Sequence, residues 1–209
     1  MIQSSWMPPE PGAPEQPPDV QLFISEEELQ ARVGELAYDI AQDYRNLGVS
    51  VAQPLHLIGV LKGVVPFMSD LMRSIPPDLP VTVDFMAIAP YGPQTRNSGG
   101  VRVLKDLDEA ITGRHVLLVE DIVDTGLTLG YLMKLLRGRQ PQSLRVCALL
   151  DRASVRLLDL RLAYVGFEIP DQFVVGYGLD DHGLYRNLPY IGVLKRPEPQ
   201  ADLGEDITE

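Results

Sequence analysis

The residues that can do chemistry cluster in one short stretch, Glu120-Asp121-Ile122-Val123-Asp124-Thr125-Gly126-Leu127-Thr128. A branched apolar run over residues 115–119 leads into it, and a pattern of helical spacing over 127–137 leads out. A strand that turns directly into a helix exposes unpaired backbone N–H groups and the positive end of the helix dipole. Gly126 lets a ligand approach the backbone closely, and the Thr125 and Thr128 hydroxyls add donors. Together they form a socket for a phosphate monoester. The carboxylates need another task, since anions repel phosphate. Glu120 and Asp121 can accept hydrogen bonds from vicinal sugar hydroxyls, or hold Mg²⁺ directly or through water. The arrangement suits a ribose 5-phosphate, with its phosphate on the N–H groups and its diol on the acids.

The elements that must position this stretch alternate along the chain. A capping box at Ser25 and Glu28 opens a helix whose apolar face is Leu29, Val33, Leu36, Ala37, Ile40 and Tyr44, and Gly48 stops it. Apolar runs over 55–61, 81–89, 115–119 and 144–150 lack the alternation of a half-exposed strand. Helical patterns over 65–72 and 127–137 separate them, so they predict a mostly parallel sheet covered on both faces, an α/β fold. Short runs over 164–167, 173–176 and 191–194 complete a smaller lobe. There is no Gly-x-x-x-x-Gly-Lys-Ser/Thr and no Gly-x-Gly-x-x-Gly after the first strand, which sets aside other nucleotide folds. A bare Asp-Thr-Gly triplet also marks aspartic proteases; the longer strand-acid-turn-helix pattern is the distinguishing signal.

Bulk properties narrow the partners. The 209 residues carry a formal net charge of −11 and are 45% hydrophobic, enough for one well-filled domain and ill suited to a general nucleic-acid binder. No run approaches the length of a membrane span. Cys147 is the only cysteine and sits among apolar neighbours, so it is expected to be buried and inert, in a reducing compartment. Residues 1–20 hold six prolines and are expected to be a disordered leader, residues 21–196 the folded domain, and residues 197–209 an acidic, solvated tail. His56, His115 and His182 lack metal-ligand spacing and read as structural or surface residues, and Asp106, Asp108 and Glu109 as a solvated turn.

The sequence resembles the hypoxanthine-guanine phosphoribosyltransferases, within the type I phosphoribosyltransferases, from about Leu22 to Lys195. The resemblance rests on the Glu-Asp-x-x-Asp-Thr-Gly-x-Thr stretch and on Val60-Leu61-Lys62-Gly63, Val83-Asp84-Phe85-Met86 and Leu104-Lys105-Asp106-Leu107. Further matches are Gly166-Phe167-Glu168-Ile169-Pro170-Asp171, the run from Phe173 through Asp180, and Tyr185-Arg186. It implies the type I fold, a mostly parallel sheet with a small hood built from early and late segments, roughly 165–190. It also implies a cytoplasmic enzyme of purine salvage, dimeric or tetrameric, using Mg²⁺, phosphoribosyl pyrophosphate and a 6-oxopurine, with no nucleic-acid or membrane partner.

By this resemblance Asp124 is the general base near N7 of the purine. Glu120, Asp121, Asp124, Thr125, Gly126, Leu127 and Thr128 hold the phosphoribosyl group, and Lys62, Gly63 and Arg186 the pyrophosphate, with a strained peptide expected at Leu61-Lys62. Glu120, Asp121 and Asp180 serve the metal. Phe173 stacks on the purine while the Val174 backbone reads its edge, and Tyr91 belongs to a lid over residues 91–100. Two departures stand out: Pro90 where the family has Ser before the lid tyrosine, and Arg152 where it has the lysine that reads the purine O6. Arg152 keeps a positive donor in a different shape. It opens the alternative of a relative preferring xanthine or guanine. A sensor that binds the sugar donor without catalysis is the other alternative, and the acidic balance counts against its RNA-binding form.

Overall fold

The structure, a computed structural model, describes residues 17–90 and 101–195. Thirteen elements follow the chain: β1 (Val20–Ile24), α1 (Glu26–Asn46), β2 (Leu55–Leu61), α2 (Val65–Ser74), β3 (Val81–Pro90), β4 (Val101–Lys105), β5 (His115–Val123), α3 (Leu127–Arg137), β6 (Ser143–Asp151), a 3₁₀ turn at Ala153–Val155, β7 (Tyr164–Glu168), β8 (Val174–Val175) and β9 (Ile191–Leu194). Six strands form the main sheet in the order β4-β3-β2-β5-β6-β7, and three form the hood in the order β1-β9-β8. In the main sheet only β4 runs antiparallel to its neighbour.

The central strands are apolar on both faces because both are covered. Leu57 and Ile58, Leu117 and Leu118, and Cys147 and Ala148 alternate between two cores. One core takes Leu29, Val33, Leu36 and Ile40 of α1 with Phe67 and Leu71 of α2; the other takes Leu129, Leu132 and Leu136 of α3. The capping box at Ser25 forms as expected, with Ser25 and Glu28 bonded to each other's backbone N–H groups. Gly48, at φ 81°, follows the helix end in a conformation that favours glycine. Cys147 is fully buried, which pushes its thiol pKa up and leaves it unreactive.

At the lower ends of the strands, His56 and His115 are buried, each with Nδ1 on a hydroxyl: Thr82 Oγ1 at 2.8 Å and Ser143 Oγ at 2.8 Å. At the β7 edge, Arg32 of α1 donates through Nε to the Gly166 carbonyl at 2.9 Å and through Nη2 to the Val165 carbonyl at 2.8 Å. Among the described residues, no helix is long and apolar enough to cross a membrane.

Several expected boundaries shift. β5 runs on to Val123, so Glu120 and Asp121 lie inside a strand paired with β6, not beyond its end. β7, placed by the sequence at the start of the hood, belongs to the main sheet. The three hood strands are β1 from the early part of the chain and β8 and β9 from the late part. Val20, assigned to the leader, is a buried residue of β1; residues 1–16 of the leader and residues 196–209, the whole tail among them, lie outside the described residues. The acids of the 106–109 turn are not simply solvated. Asp106 pairs with Arg139, Asp108 with Lys105 and Glu109 with Arg114, and Lys105 also reaches buried Asp84.

Candidate active site

The C-terminal ends of β2 and β5, the α3 N-terminus and the hood loop enclose a cavity of about 530 Å³. Its wall includes Lys62 and Gly63 after β2; Glu120, Asp121, Asp124, Thr125, Gly126 and Thr128 from β5 and the turn; and Asp180 and Arg186 from the hood. Ligands of open parallel sheets bind at this end of the strands. A second cavity of about 230 Å³ adjoins it, lined by Asp121, Ile122, Asp124, Arg152, Phe173, Val174, Leu179 and Asp180. Asp124 lies in the walls of both.

The turn is built for close approach. Gly126 caps α3 at φ 80°, where an L side chain is strained. A Cβ there would also meet Leu160 Cδ1 at 2.9 Å and Arg156 Cδ at 3.0 Å. Among the described residues, no group accepts from the N–H of Thr125, Gly126, Thr128 or Leu129. The Leu127 N–H instead points to Thr125 Oγ1 at 3.4 Å, and Leu127 does not line the cavity.

Opposite the turn, the Leu61-Lys62 peptide, the one the resemblance singles out, is cis. The loop behind it is packed without slack: a Cβ on Gly63 would sit 1.7 Å from Asp121 Oδ2, and one on Gly178 1.9 Å from the Gly63 carbonyl.

Burial governs the charges. Glu120 is 7% exposed, its Oε1 has no hydrogen-bond partner among the described residues, and burial beside Asp121 raises its pKa well above the carboxylate range. Burial also lifts Asp121 to about 6, against the pull of the Ile122 N–H and the Arg186 charge. Asp124 is likewise raised by burial and lowered by the Arg152 and Arg156 guanidinium groups. Its Oδ1 lies 3.3 Å from Arg152 Nη1 but outside hydrogen-bonding geometry, so the pair is a Coulombic contact with an open acceptor. Arg152 itself is held across the smaller cavity: Nη2 donates to the Gln172 carbonyl at 2.6 Å, and Nη1 lies 3.6 Å from Asp171 Oδ1. Asp180 accepts from the Gly183 N–H at 2.7 Å and pairs with Arg186 at 2.5 Å; Arg186 also donates to the Gly178 carbonyl at 2.6 Å.

For a metal ion, no cluster of three or more protein ligands exists among the described residues. The neighbouring Glu120 and Asp121 carboxylates, one with an orphaned oxygen, nevertheless fit Mg²⁺, which takes one or two carboxylates and completes its shell with water and substrate oxygens. Phe173, 36% exposed, and Val174 line the smaller cavity. Tyr91 and the lid of residues 91–100 lie outside the described residues; Pro90 ends β3, paired with Val101. Sequence reasoning missed Arg156 and Asp151, whose side chains meet behind the turn. The two stand only five residues apart, but nothing in their spacing marks them as a pair before the 3₁₀ turn folds the segment back.

Comparison with known proteins agrees with this geometry. The family model described as a phosphoribosyl transferase domain matches residues 25–182. The hypoxanthine-guanine phosphoribosyltransferase of Mycobacterium avium is 50% identical over 194 residues, covering 92% of this chain and 94% of that one. Its counterpart in Bacillus subtilis is 49% identical, covering 84% and 93%. Among solved structures, a Trypanosoma cruzi hypoxanthine phosphoribosyltransferase superposes with a TM-score of 0.84 at 42% identity, covering 88% of this chain and 96% of that one.

Proposed function

Since the chain belongs to the phosphoribosyltransferase family, we infer from its site how it carries out phosphoribosyl transfer in purine salvage. The enzyme is a transferase of the hypoxanthine-guanine type. The substrates assigned to it here are phosphoribosyl pyrophosphate and a 6-oxopurine, hypoxanthine or guanine. The observation that carries the assignment is the position of Asp124 in the shared wall of two cavities, the larger lined by Lys62, Gly63, Thr125, Gly126 and Thr128 and the smaller by Phe173, Val174 and Arg152.

The larger cavity binds the donor. The free N–H groups of the turn and the Thr128 hydroxyl hold the 5-phosphate, and Lys62, Gly63 and Arg186 hold the pyrophosphate. Glu120 and Asp121 face the ribose diol and would hold Mg²⁺ with it, and Asp180 would contribute from the hood. When bound, that ion supplies positive charge to the departing pyrophosphate. Phe173 stacks on the purine, Val174 reads its edge, and Arg152 donates toward its 6-oxo group. The bond from the ribosyl carbon to pyrophosphate breaks, with the electron pair leaving on the pyrophosphate. The N9–carbon bond forms as Asp124 takes a proton at N7. Its open Oδ1 is the accepting atom, and its raised pKa suits proton uptake. The same carboxylate faces the positive charge that develops on the sugar, as carboxylates do in glycoside chemistry.

The test is release of pyrophosphate by pure protein given the donor, Mg²⁺ and each of hypoxanthine, guanine, xanthine and adenine. Turnover with hypoxanthine or guanine and none with adenine is expected. No release with any 6-oxopurine would overturn the assignment. The dimer or tetramer implied by the resemblance is part of the same proposal, and light scattering measures it.

A further inference from the structure

On that functional reading, we propose that Arg156, anchored by Asp151, is a positioning residue for the donor site: it fixes the peptide plane between Asp124 and Thr125 so that the turn offers N–H groups to the sugar phosphate. Arg156 Nε donates to the Asp124 carbonyl at 3.0 Å, and its Nη2 meets the Asp151 carboxylate. Both side chains are largely buried, 14% and 11% exposed, so the pair is shielded from screening and each charge needs the other.

The contact is one of three. The Arg152 N–H donates to the Val123 carbonyl at 3.0 Å, and the Leu157 N–H to the Thr125 carbonyl at 2.9 Å. Three successive carbonyls of the turn are therefore claimed by the segment 152–157, which the 3₁₀ turn at Ala153–Val155 folds back against it. In a trans peptide the C=O and the following N–H point in opposite directions. Holding the Asp124 and Thr125 carbonyls from behind turns the N–H groups of Thr125 and Gly126 away from that segment. The larger cavity lies on this other side; Arg156 and Leu157 are absent from its wall, whereas Thr125 and Gly126 form part of it. The stem of Arg156 also backs the turn at Gly126. The middle carbonyl is the only one of the three held by a side chain, so it is the one a substitution can release.

The test uses the full chain and a probe independent of turnover, ribose 5-phosphate titrated by calorimetry. Arg156→Met keeps the stem and removes the donors. It is expected to weaken ribose 5-phosphate about tenfold, the scale of one hydrogen bond to a charged group. The Michaelis constant for the base should hold, and amide exchange at Arg152 and Leu157, whose N–H groups hold the flanking carbonyls, should quicken. Arg156→Lys, which can serve one acceptor but not both, should recover part of the loss. If Arg156→Met does not fold, Arg156→Lys and Asp151→Asn carry the test, each breaking one of the two contacts. Wild-type-like ribose 5-phosphate binding in these variants would overturn the role, as would parallel losses for sugar and base that merely track melting temperature. Ribose 5-phosphate binding by a wild-type protein that never releases pyrophosphate would sink the transferase assignment and leave the positioning role intact. No binding at all would sink both.

Discussion

Gly63→Ala should damage the enzyme out of proportion to the single methyl added, and the structure gives the scale. Gly63 does not adopt a left-handed conformation, so alanine suits its backbone and the cost is steric. The new Cβ would lie 1.7 Å from Asp121 Oδ2, whereas real Cβ atoms essentially never come within 3.0 Å of a neighbour, so the carboxylate must retreat by more than an ångström. Asp121 is held in place through its other oxygen, which accepts from the Ile122 N–H at 2.8 Å. Retreat gives up that charge-assisted bond, about 1.5–3 kcal/mol, and crowding a packed site adds about 1–3 kcal/mol. A total of about 4 kcal/mol lowers the melting temperature of a chain this size by roughly 8–16 °C. Asp121 is also an arm of the donor site, so the Michaelis constant for phosphoribosyl pyrophosphate should rise at least about tenfold while that for the base holds. Scanning calorimetry and two-substrate kinetics measure these. Gly113→Ala is the control: its φ is 71° with nothing within 4 Å, so it should cost only about 1–2 kcal/mol and leave the kinetics alone. A Gly63→Ala protein that melts within about 2 °C of wild type with an unchanged donor constant would refute the reasoning, because the contact would not exist.

Other outcomes follow from the same structure. Asp124→Asn should lower kcat about 10²- to 10⁴-fold in steady-state assays while donor binding persists; an unchanged rate would remove Asp124 from proton transfer. Arg152→Lys cannot grip the Gln172 carbonyl and face Asp124 together, so it should change the ratio of kcat/KM for guanine and hypoxanthine more than it changes the donor constant. Equal effects on both would contradict the assigned role. Gly34→Ala adds a methyl to an exposed helical position with nothing within 4 Å, and should raise the melting temperature by about 1–4 °C; a lower one would count against α1 as drawn. His56 and His115 are held neutral, mainly by burial and also by the nearby Arg114 and Arg145 charges, so their pKa values are lowered. The unfolded chain therefore takes up protons first as pH falls below about 6.5, and each histidine withdraws stability there. Burial of Asp121 acts in the opposite direction near pH 6, so the informative quantity is a difference. His56→Asn with His115→Asn should flatten the fall in melting temperature between about pH 6.5 and 5, and an unaltered slope would be the negative result.

What the sequence made legible is what lies close together along it. The Glu120 to Thr128 stretch could be read because acids, glycine and helix start are consecutive, and the capping box because its two residues are three apart. The central strands were legible from their unbroken apolar character. β4 was not: Val-Arg-Val-Leu-Lys is short and charged, as suits an edge strand, and its apolar content falls below that of its neighbours. Which strands pair in the hood was not legible, because β1 and β9 sit at opposite ends of the described chain and are joined only by pairing. The same holds in the site. Gly63 against Asp121, Gly178 against Gly63, and Arg156 against the Asp124 carbonyl join residues well apart in sequence, and only the folded chain brings them together.

The guanidinium of Arg32 has a consequence for how the molecule behaves in a crowded solution. β7 is the outermost strand of the main sheet on its side, and an open strand of this kind invites a stranger's backbone to zip alongside. Arg32 occupies the carbonyls of two successive residues, and since these alternate sides along a strand, one of them belongs to the open edge, where an incoming chain would have to displace a charged side chain to pair. One arginine on the first helix thus raises the cost of fibrous self-association along that edge.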